Sequence, residues 1–267
     1  MTGPAPSRTG LPLGAAPGGD RTRPAVEVLE LRKVFRSGDG TEVRAVDGVS
    51  FSCLPGEIVG LLGPNGAGKT TTLRILATIL QPSSGRASVA GCDVATDPDG
   101  VRRNLGYVSA ATGIYERLTG RETLLYYGRL HGMPEDALAA RADDVIRFLQ
   151  MGEFADRLAG RLSSGQRQKV SLARAIVHDP AVLILDEPTA NLDVLVARNV
   201  LQFVERAKAA GRAILLSTHL FHEAERLCDR IVVVHRGRLV ASGTRAEILA
   251  LAGATNLEDA FFGLVGE

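Results

Sequence analysis

Two hydrophobic patterns alternate along this chain. Short runs of consecutive apolar residues, typical of strands that are buried on both faces of a sheet, occur at 58–62, 182–185, 213–216 and 231–234. Longer stretches with apolar positions three and four residues apart predict helices at 70–80, 135–150 and 194–209. Pro134 is expected at the first position of the helix 135–150. Strands that alternate with helices predict an α/β fold with a mainly parallel sheet.

The pattern also divides the chain into regions. Residues 1–24 are rich in Pro, Gly, Thr and Arg, and we expect a disordered tail because they offer little apolar surface to bury. Strand-like alternation begins near Val26, so one large α/β domain is expected over residues 25–245. Within it, residues 106–179 lack strand alternation and predict an inserted helical sub-domain. Residues 246–267 are expected to form a C-terminal helical extension.

The charge balance, the length of the apolar runs and the cysteine spacing argue against several classes of protein. The 31 Lys and Arg residues nearly balance the 30 Asp and Glu residues, giving a net charge of +1, so no basic field favours nucleic acid as a partner. No apolar run approaches the roughly 18 residues needed to span a bilayer. The three cysteines lie far apart, which fits a reducing cytoplasm better than a disulfide framework or a zinc ribbon.

A phosphate-binding motif follows the first buried strand. It has the pattern G-x-x-x-x-G-K-[ST] and comprises Gly63, Pro64, Asn65, Gly66, Ala67, Gly68, Lys69 and Thr70. Glycines let the backbone curl so that several N–H groups point at one anion, and the next helix begins there. Lys69 is expected to reach the β- and γ-phosphates, Thr70 to ligate Mg²⁺, and Thr71 to bond another phosphate oxygen. The alternative interpretation is a glycine-rich turn that only connects a strand to a helix.

The run 182–187 supplies the second half of a phosphoryl-transfer site. Its apolar residues place Asp186 at the carboxyl end of a buried strand, the edge at which α/β sheets bind ligands. Asp186 is expected to hold Mg²⁺ together with Thr70, and Glu187 to activate the attacking water. Together with the phosphate loop, this run predicts an enzyme that hydrolyses a nucleoside triphosphate.

Further motifs lie between and after these two halves. Leu162-Ser163-Ser164-Gly165-Gln166 resembles the signature of ABC ATPases, with Ser164 where that family usually has glycine. The segment 188–193, which ends in Asp193, resembles the family's D-loop, and Ser217-Thr218-His219 resembles its switch histidine. The order and spacing agree over about residues 26–245. The chain is therefore similar to ATP-binding subunits of ABC transporters.

The resemblance implies a fold, a mechanism and partners. The fold would be that of an ABC ATPase, with an antiparallel β portion at the N-terminus and a helical sub-domain. Two copies, or one copy with another ABC ATPase, would dimerise head to tail around MgATP. The signature of one chain, at Ser163, Gly165 and Gln166, would then face the ATP held by the partner's phosphate loop.

The resemblance assigns roles to three more residues and a second partner. Asp193 would organise the dimer interface, and His219 would hold the γ-phosphate and the attacking water as a catalytic residue beside Lys69 and Glu187. Phe35 would stack on adenine, the alternative being a core-facing phenylalanine. The chain would lie on the cytoplasmic face of the cell membrane and drive a separate membrane-spanning permease.

Besides Ser164, the sequence departs from the family in a loop. If residues 105–108 are aligned on the strand that precedes this loop in the family, Ser109, Ala110 and Ala111 stand where the family usually carries a Pro-Gln pair whose glutamine approaches Mg²⁺. We expect hydrolysis to survive and its coupling to a permease to be altered. The segment 112–122 and the C-terminal segment 256–262 resemble a branch of exporter ATPases that includes sodium-extrusion subunits.

Two other interpretations remain at this stage, and a third, a kinase, is set aside. A soluble ABC protein acting on ribosomes or DNA would share the motifs, although relatives of that kind usually carry two modules, coiled-coil arms or zinc modules. His219, His222 and Glu223 have a spacing that could suggest a metal site. A small-molecule kinase would explain the phosphate loop but not the signature.

Overall fold

The fold is known from a computed structural model, which describes residues 22–36, 38, 40–109, 113–190 and 192–266. Residues 1–21 of the expected tail lie outside the described residues, as do Ala110 and Ala111 of the departing loop. The two predicted sheet portions are both present, so the expected α/β class is confirmed.

The larger sheet has six strands in the order β10-β9-β3-β8-β7-β6. Its strands are β3 Ile58–Leu62, β6 Leu105–Ser109, β7 Val182–Asp186, β8 Ala213–Thr218, β9 Arg230–His235 and β10 Arg238–Gly243. Neighbours from β9 to β6 are parallel, and only β10 pairs antiparallel, at the edge. The central strands are buried throughout because helices or the second sheet cover both faces.

The smaller sheet is antiparallel, in the order β2-β1-β4-β5. Its strands are β1 Val26–Arg36, β2 Glu42–Cys53, β4 Ser84–Val89 and β5 Cys92–Asp93. In β1 the buried positions Val26, Val28 and Leu31 pack into a core shared with the larger sheet. This sheet therefore covers one side of the phosphate-loop helix.

The helices flank the larger sheet and form the sub-domain. They are α1 Lys69–Leu76, α2 Pro98–Asn104, α3 Gly120–Leu130, α4 Glu135–Phe148, α5 Ser164–Ile176, α6 Val194–Ala209, α7 Phe221–Leu227, α8 Arg245–Ala252 and α9 Leu257–Val265. Helices α3, α4 and α5 pack on one another through residues such as Leu124, Leu138 and Val170, and we refer to these three helices as the helical sub-domain.

Several predicted boundaries differ from those observed. The helix expected at 70–80 ends at Leu76, because Thr78 adopts a left-handed φ of 58°. The helix expected at 135–150 ends at Phe148, and Gln150 has a φ of 53°. Pro134 caps that helix instead of starting it, since its ψ of 140° is extended.

The expected sub-domain range also begins too early. Residues 106–109 belong to β6, which pairs in parallel register with β7 in the larger sheet. The sub-domain helices begin only at Gly120, where Thr119 caps α3 with a capping box that includes Glu122. The apolar run of β6 is too brief to predict a strand by itself, whereas the resemblance to the family had placed a strand at 105–108, as observed.

A partly buried polar group joins helix α4 to the larger sheet, and we call its residues Arg141, His178, Asp179 and Arg212 the junction cluster. Both arginines donate to Asp179 Oδ1, Arg141 from α4 at 3.2 Å and Arg212 from the core at 2.8 Å. Arg212 is fully buried and also donates to the Pro180 carbonyl at 2.8 Å. The cluster fixes the end of α5 against the start of β7.

The predicted C-terminal extension consists of α8 and α9. Ile248, Leu257 and Phe261 are buried against the sheet edge formed by β9 and β10. Throughout the described part of the chain, no single helix is long and apolar enough to cross a membrane. Only the bent pair α8 and α9, with 51° between the two, reaches the required length and composition together.

Candidate active site

The phosphate loop closes over a cavity at the carboxyl end of β3. The cavity has a volume of about 250 Å³ and is lined by Ala45, Glu187 and the loop residues Pro64, Asn65, Gly66, Ala67, Gly68, Lys69, Thr70 and Thr71. Strands β3, β8 and β7 are parallel neighbours, so Leu62, Thr218 and Asp186 end at one edge of the sheet. The loops that follow them meet around this cavity.

Two glycines are required by the shape of the loop. A Cβ atom at Gly63 would lie 2.2 Å from the Val234 carbonyl oxygen. Gly68 has a φ of 103°, and a Cβ there would lie 2.4 Å from the Ala45 carbonyl oxygen. Any side chain would push the loop away from the sheet, so these positions keep the cavity open for a ligand.

Lys69 is the buried cation of this cavity. Its side chain is 4% exposed, and Nζ donates to the carbonyl oxygens of Gly63 at 2.6 Å and Pro64 at 3.1 Å. Glu187 Oε1 lies 3.6 Å away. Burial lowers the pKa of the Lys69 ammonium, and the Glu187 carboxylate partly opposes that shift. The ammonium is thus held by weak neutral acceptors that an anion could replace.

Asp186 ends β7 beside the phosphate loop. Its Oδ1 accepts from the Thr70 hydroxyl at 3.1 Å and from the buried Ser217 hydroxyl at 2.6 Å. Its Oδ2 lies 3.4 Å from the Tyr107 hydroxyl of β6. The structure therefore brings together Thr70 and Asp186, the pair expected to hold Mg²⁺.

Glu187 occupies a strained backbone position. Its φ is 50°, which is uncommon for a residue other than glycine and is often found at functional sites. Its N–H donates to the Ser217 carbonyl at 3.2 Å and to the Ser217 hydroxyl at 3.1 Å, which holds this conformation. The carboxylate lies between Lys69 and His219, whose Nδ1 is 3.3 Å from Glu187 Oε1.

The signature residues lie elsewhere in the same chain. Ser163 caps α5 in a capping box with Gln166, and both residues line a second cavity, of about 340 Å³, together with Gly165. This cavity lies between α5 and α6 and shares no lining residue with the phosphate-loop cavity. One chain therefore does not bring its signature to its own Lys69.

The remaining predicted site residues flank these two cavities. Asp193 caps α6 by accepting from the Val196 N–H at 2.9 Å. A Cβ at Gly165 would lie 2.5 Å from Val196 Cγ2, so the starts of α5 and α6 are in contact. Phe35, near the end of β1, is 40% exposed, which does not fit the core-facing alternative, and it does not line the phosphate-loop cavity.

The residues of the cavity fit a magnesium nucleotide. The glycines provide a backbone cradle, Lys69 provides a positive charge, and the cavity opens at the start of α1. Thr70 and Asp186 provide hydroxyl and carboxylate oxygens, the donors that Mg²⁺ prefers. His222 is exposed and Glu223 is buried, so the spacing of His219, His222 and Glu223 does not produce a shared site.

Comparison with known proteins agrees with this geometry. The ABC transporter family model matches residues 46–190, more than half of the chain. The chain belongs to the ABC transporter family. It is an ATP-binding and ATP-hydrolysing domain of the ABC type.

Individual relatives extend the match. The chain is 40% identical over 202 residues to the ABC transporter ATP-binding protein NatA of Bacillus subtilis (strain 168), covering 75% of this chain and 82% of that protein. It is 40% identical over 223 residues to the Nod factor export ATP-binding protein I of Paraburkholderia xenovorans (strain LB400), covering 83% and 72%. A solved ATP-binding subunit of an ABC transporter superposes with a TM-score of 0.81 at 31% identity, covering 90% of this chain and 99% of that one.

Sequence reasoning missed several polar residues of this ABC domain. Ser217 contacts both Asp186 and Glu187, although it entered the prediction only as part of the motif around His219. Thr189, Thr218 and Glu223 form a buried hydrogen-bonded group behind His219. The sequence did carry a signal for this group. Thr189 and Thr218 are hydroxyl residues close to Glu187 and His219, and Glu223 directly precedes the apolar Ala224 in α7.

Proposed function

We propose that this chain is the ATP-hydrolysing subunit of an exporter-type ABC transporter and that it drives a separate membrane-spanning permease. The observation that carries the proposal is the position of Glu187 between Lys69 and His219 at the mouth of the phosphate-loop cavity. The relative named for Nod factor export supports the exporter direction. The short resemblance of residues 112–122 and 256–262 to exporter ATPases points the same way.

Within the phosphate-loop cavity, each residue has a role in hydrolysis. Lys69 exchanges its carbonyl acceptors for the β- and γ-phosphate oxygens, and the loop N–H groups bind the same charge. Thr70 and Asp186 would hold Mg²⁺, which when bound neutralises phosphate charge. Glu187 orients the attacking water and takes its proton, and His219 holds the water and the γ-phosphate in line.

A second chain is needed to complete the site. Ser163, Gly165 and Gln166 face their own cavity, away from Lys69 of the same chain, which supports a head-to-tail dimer. The start of α6 next to Asp193 exposes Val194 at 84% and Leu195 at 73%, apolar surface that a partner would cover. The partner is a second copy or another ABC ATPase.

The adenine and the permease have candidate contacts of their own. Phe35 presents an exposed ring, with Lys33 Nζ 5.2 Å from its centroid, and stacks on adenine in this proposal. On the helical sub-domain, Tyr115, Tyr126 and Leu130 are exposed, and the two tyrosine rings lie 5.9 Å apart. This apolar surface suits docking to a permease on the cytoplasmic face of the membrane.

The test uses Glu187→Gln in the full-length chain. We expect the purified variant to bind ATP as the wild type does, to hydrolyse it at least about 100-fold more slowly, and to accumulate as an ATP-dependent dimer. Glu205→Gln is the matched control, because this exposed glutamate forms a surface ion pair with Arg226 and we expect its loss to leave turnover unchanged. Wild-type turnover in Glu187→Gln would refute the assigned roles.

The permease is tested in the native host. Tagged Glu187→Gln is purified from gently solubilised membranes with ATP and, in parallel, without it. A polytopic membrane protein that co-purifies in stoichiometric amount only with ATP supports the transporter subunit. Recovery of ribosomes, nucleic acid or soluble proteins in its place would overturn the transporter proposal and favour a soluble ABC protein.

A further inference from the structure

Glu223 is a buried carboxylate with an unusual set of partners. It lies on α7 and is 3% exposed. The Thr189 hydroxyl donates to its Oε1 at 2.6 Å, and the Thr218 hydroxyl donates to its Oε2 at 3.0 Å. Within the described ranges, no Lys, Arg or His forms an ion pair with it. A buried carboxylate without a cation is costly unless its hydrogen bonds are in place, so these two bonds hold it firmly.

The two threonines belong to different segments of the active site. Thr189 lies two residues after Glu187, on the turn that leads toward Asp193. Thr218 ends β8 directly before His219, and its hydroxyl also accepts from the Leu220 N–H at 3.0 Å. Glu223 thus joins the segment that carries Glu187 to the segment that carries His219. We call this connection the Glu223 bridge.

The distance between Glu187 and His219 depends on these two segments. Glu187 keeps its left-handed φ through bonds from its N–H to Ser217, one residue before Thr218. On its other side, the turn is attached to α7 through Thr189. The Glu187 turn is therefore held at both ends, and His219 is held by the same group.

We propose that Glu223 is a positioning residue for ATP hydrolysis. It touches neither substrate nor metal in this proposal. It holds the Glu187 carboxylate and the His219 imidazole at a fixed distance from each other. It also transmits movement of the turn between Glu187 and Asp193, through Thr189, to His219. The inference rests on the proposed roles of Glu187 and His219, and Glu187→Gln serves as the reference variant that tests those roles separately.

The experiment compares Glu223→Leu with Glu223→Gln in the purified full-length chain. Leucine fills similar space but accepts no hydrogen bond, so both hydroxyls lose their partner. We expect kcat per ATP-binding site to fall roughly tenfold or more, because small misplacements of reacting groups are costly, while KM changes by less than about twofold. Glutamine accepts from one hydroxyl and donates to the other, and we expect it to restore most of the wild-type kcat.

Counting sites separates positioning from folding. The number of binding-competent sites is titrated with a fluorescent ATP analogue, because partial unfolding lowers that number but not kcat per site. Should Glu223→Leu not fold, Thr189→Val and Thr218→Val each remove one bond and are measured in the same way, with Thr189→Ser as the rescue. Glu225→Gln is the matched control on the same helix, since Glu225 contacts Arg245 and the Leu257 N–H of the C-terminal extension.

Two results would overturn the bridge. One is wild-type kcat per site in Glu223→Leu, or in both threonine variants. The other is an equal loss of total ATPase activity in Glu223→Leu and Glu223→Gln, with the number of ATP-binding sites reduced by the same factor. If either occurs while Glu187→Gln is inactive, only the bridge fails. If Glu187→Gln itself turns over normally, the assigned hydrolysis roles fail as well.

Discussion

Lys69 and Arg212 are both buried cations beside a carboxylate, and their surroundings differ in a way that separates ligand binding from structure. Arg212 is fully buried and donates to Asp179 Oδ1 and to the Pro180 carbonyl, both at 2.8 Å. Lys69 is 4% exposed, lies 3.6 Å from Glu187, and opens onto the phosphate-loop cavity. Arg212 completes contacts within the fold, whereas Lys69 is held by acceptors that a phosphate would replace.

The junction cluster should therefore carry the larger share of stability. Arg212→Met removes the guanidinium, so the Pro180 carbonyl loses its side-chain donor and the Asp179 carboxylate, which is 38% exposed, keeps only Arg141. We expect the free energy of unfolding to fall by about 1–3 kcal/mol, measured by urea titration. Arg226→Met, which breaks an exposed ion pair with Glu205, should cost less than about 1 kcal/mol. Equal losses in the two variants would show that burial does not distinguish these arginines.

The opposite behaviour is expected at the phosphate loop. Lys69→Met should weaken MgATP binding by about 100-fold, or about 2.7 kcal/mol, because the phosphates lose their nearest buried cation. The urea midpoint without nucleotide should change little, since Lys69 is desolvated and weakly paired. Fluorescent-ATP titration measures the affinity, and Lys208→Met, at an exposed pair with Asp229, is the control. An unchanged affinity would contradict the assigned role of Lys69.

The junction cluster should also make stability depend on pH. Burial, reinforced by the neighbouring His131 ring stacked 3.6 Å away, lowers the pKa of His178 to about 3 from an ordinary 6.5. The unfolded chain then binds a proton that the folded chain excludes. This contribution to stability is complete above pH 6.5 and is lost as the pH falls toward 3, by at most about 1.4 kcal/mol per pH unit.

His178→Gln tests that dependence. Glutamine keeps an N–H donor for the Leu105 carbonyl, which lies 3.1 Å from His178 Nε2, but it does not titrate in this range. Urea unfolding between pH 4 and pH 7 should therefore show a shallower loss of stability in this variant than in the wild type. His222→Gln, at an exposed position, is the control substitution. Identical slopes for wild type and His178→Gln would refute the role of His178.

Much of the fold was predictable because its signals are local. The runs at 58–62 and 194–209 became β3 and α6 with the predicted boundaries, since uninterrupted apolar residues and helical spacing reflect burial directly. The predicted helix boundaries were wrong where a single backbone angle ended or began the helix, as at Thr78 and Pro134. The apolar pattern missed strand β6, which only the resemblance to the family had placed, because pairing with β7 defines it more than its own composition does.

The candidate site also contains residues that local motifs predict and contacts that they do not. Lys69, Thr70, Asp186 and Glu187 were predicted from contiguous motifs, because binding a phosphate requires residues at fixed spacing on one loop and one strand end. The contacts of Ser217, Glu223 and the junction cluster were not predicted, because each joins segments distant in sequence. Asp179 and Arg212 are separated by 33 positions and Thr189 and Glu223 by 34, so no local pattern relates them.

The sequence by itself determined the ABC family and the α/β class and predicted candidate residues for binding ATP, since these depend on local periodicity and on motifs of fixed spacing. The tertiary structure alone decided that Glu187 adopts a left-handed backbone, and that buried hydroxyls connect the segment of Glu187 to that of His219 through Glu223. Those features arise where parallel strand ends and the loops after them converge, and convergence in space leaves no periodic trace along the chain.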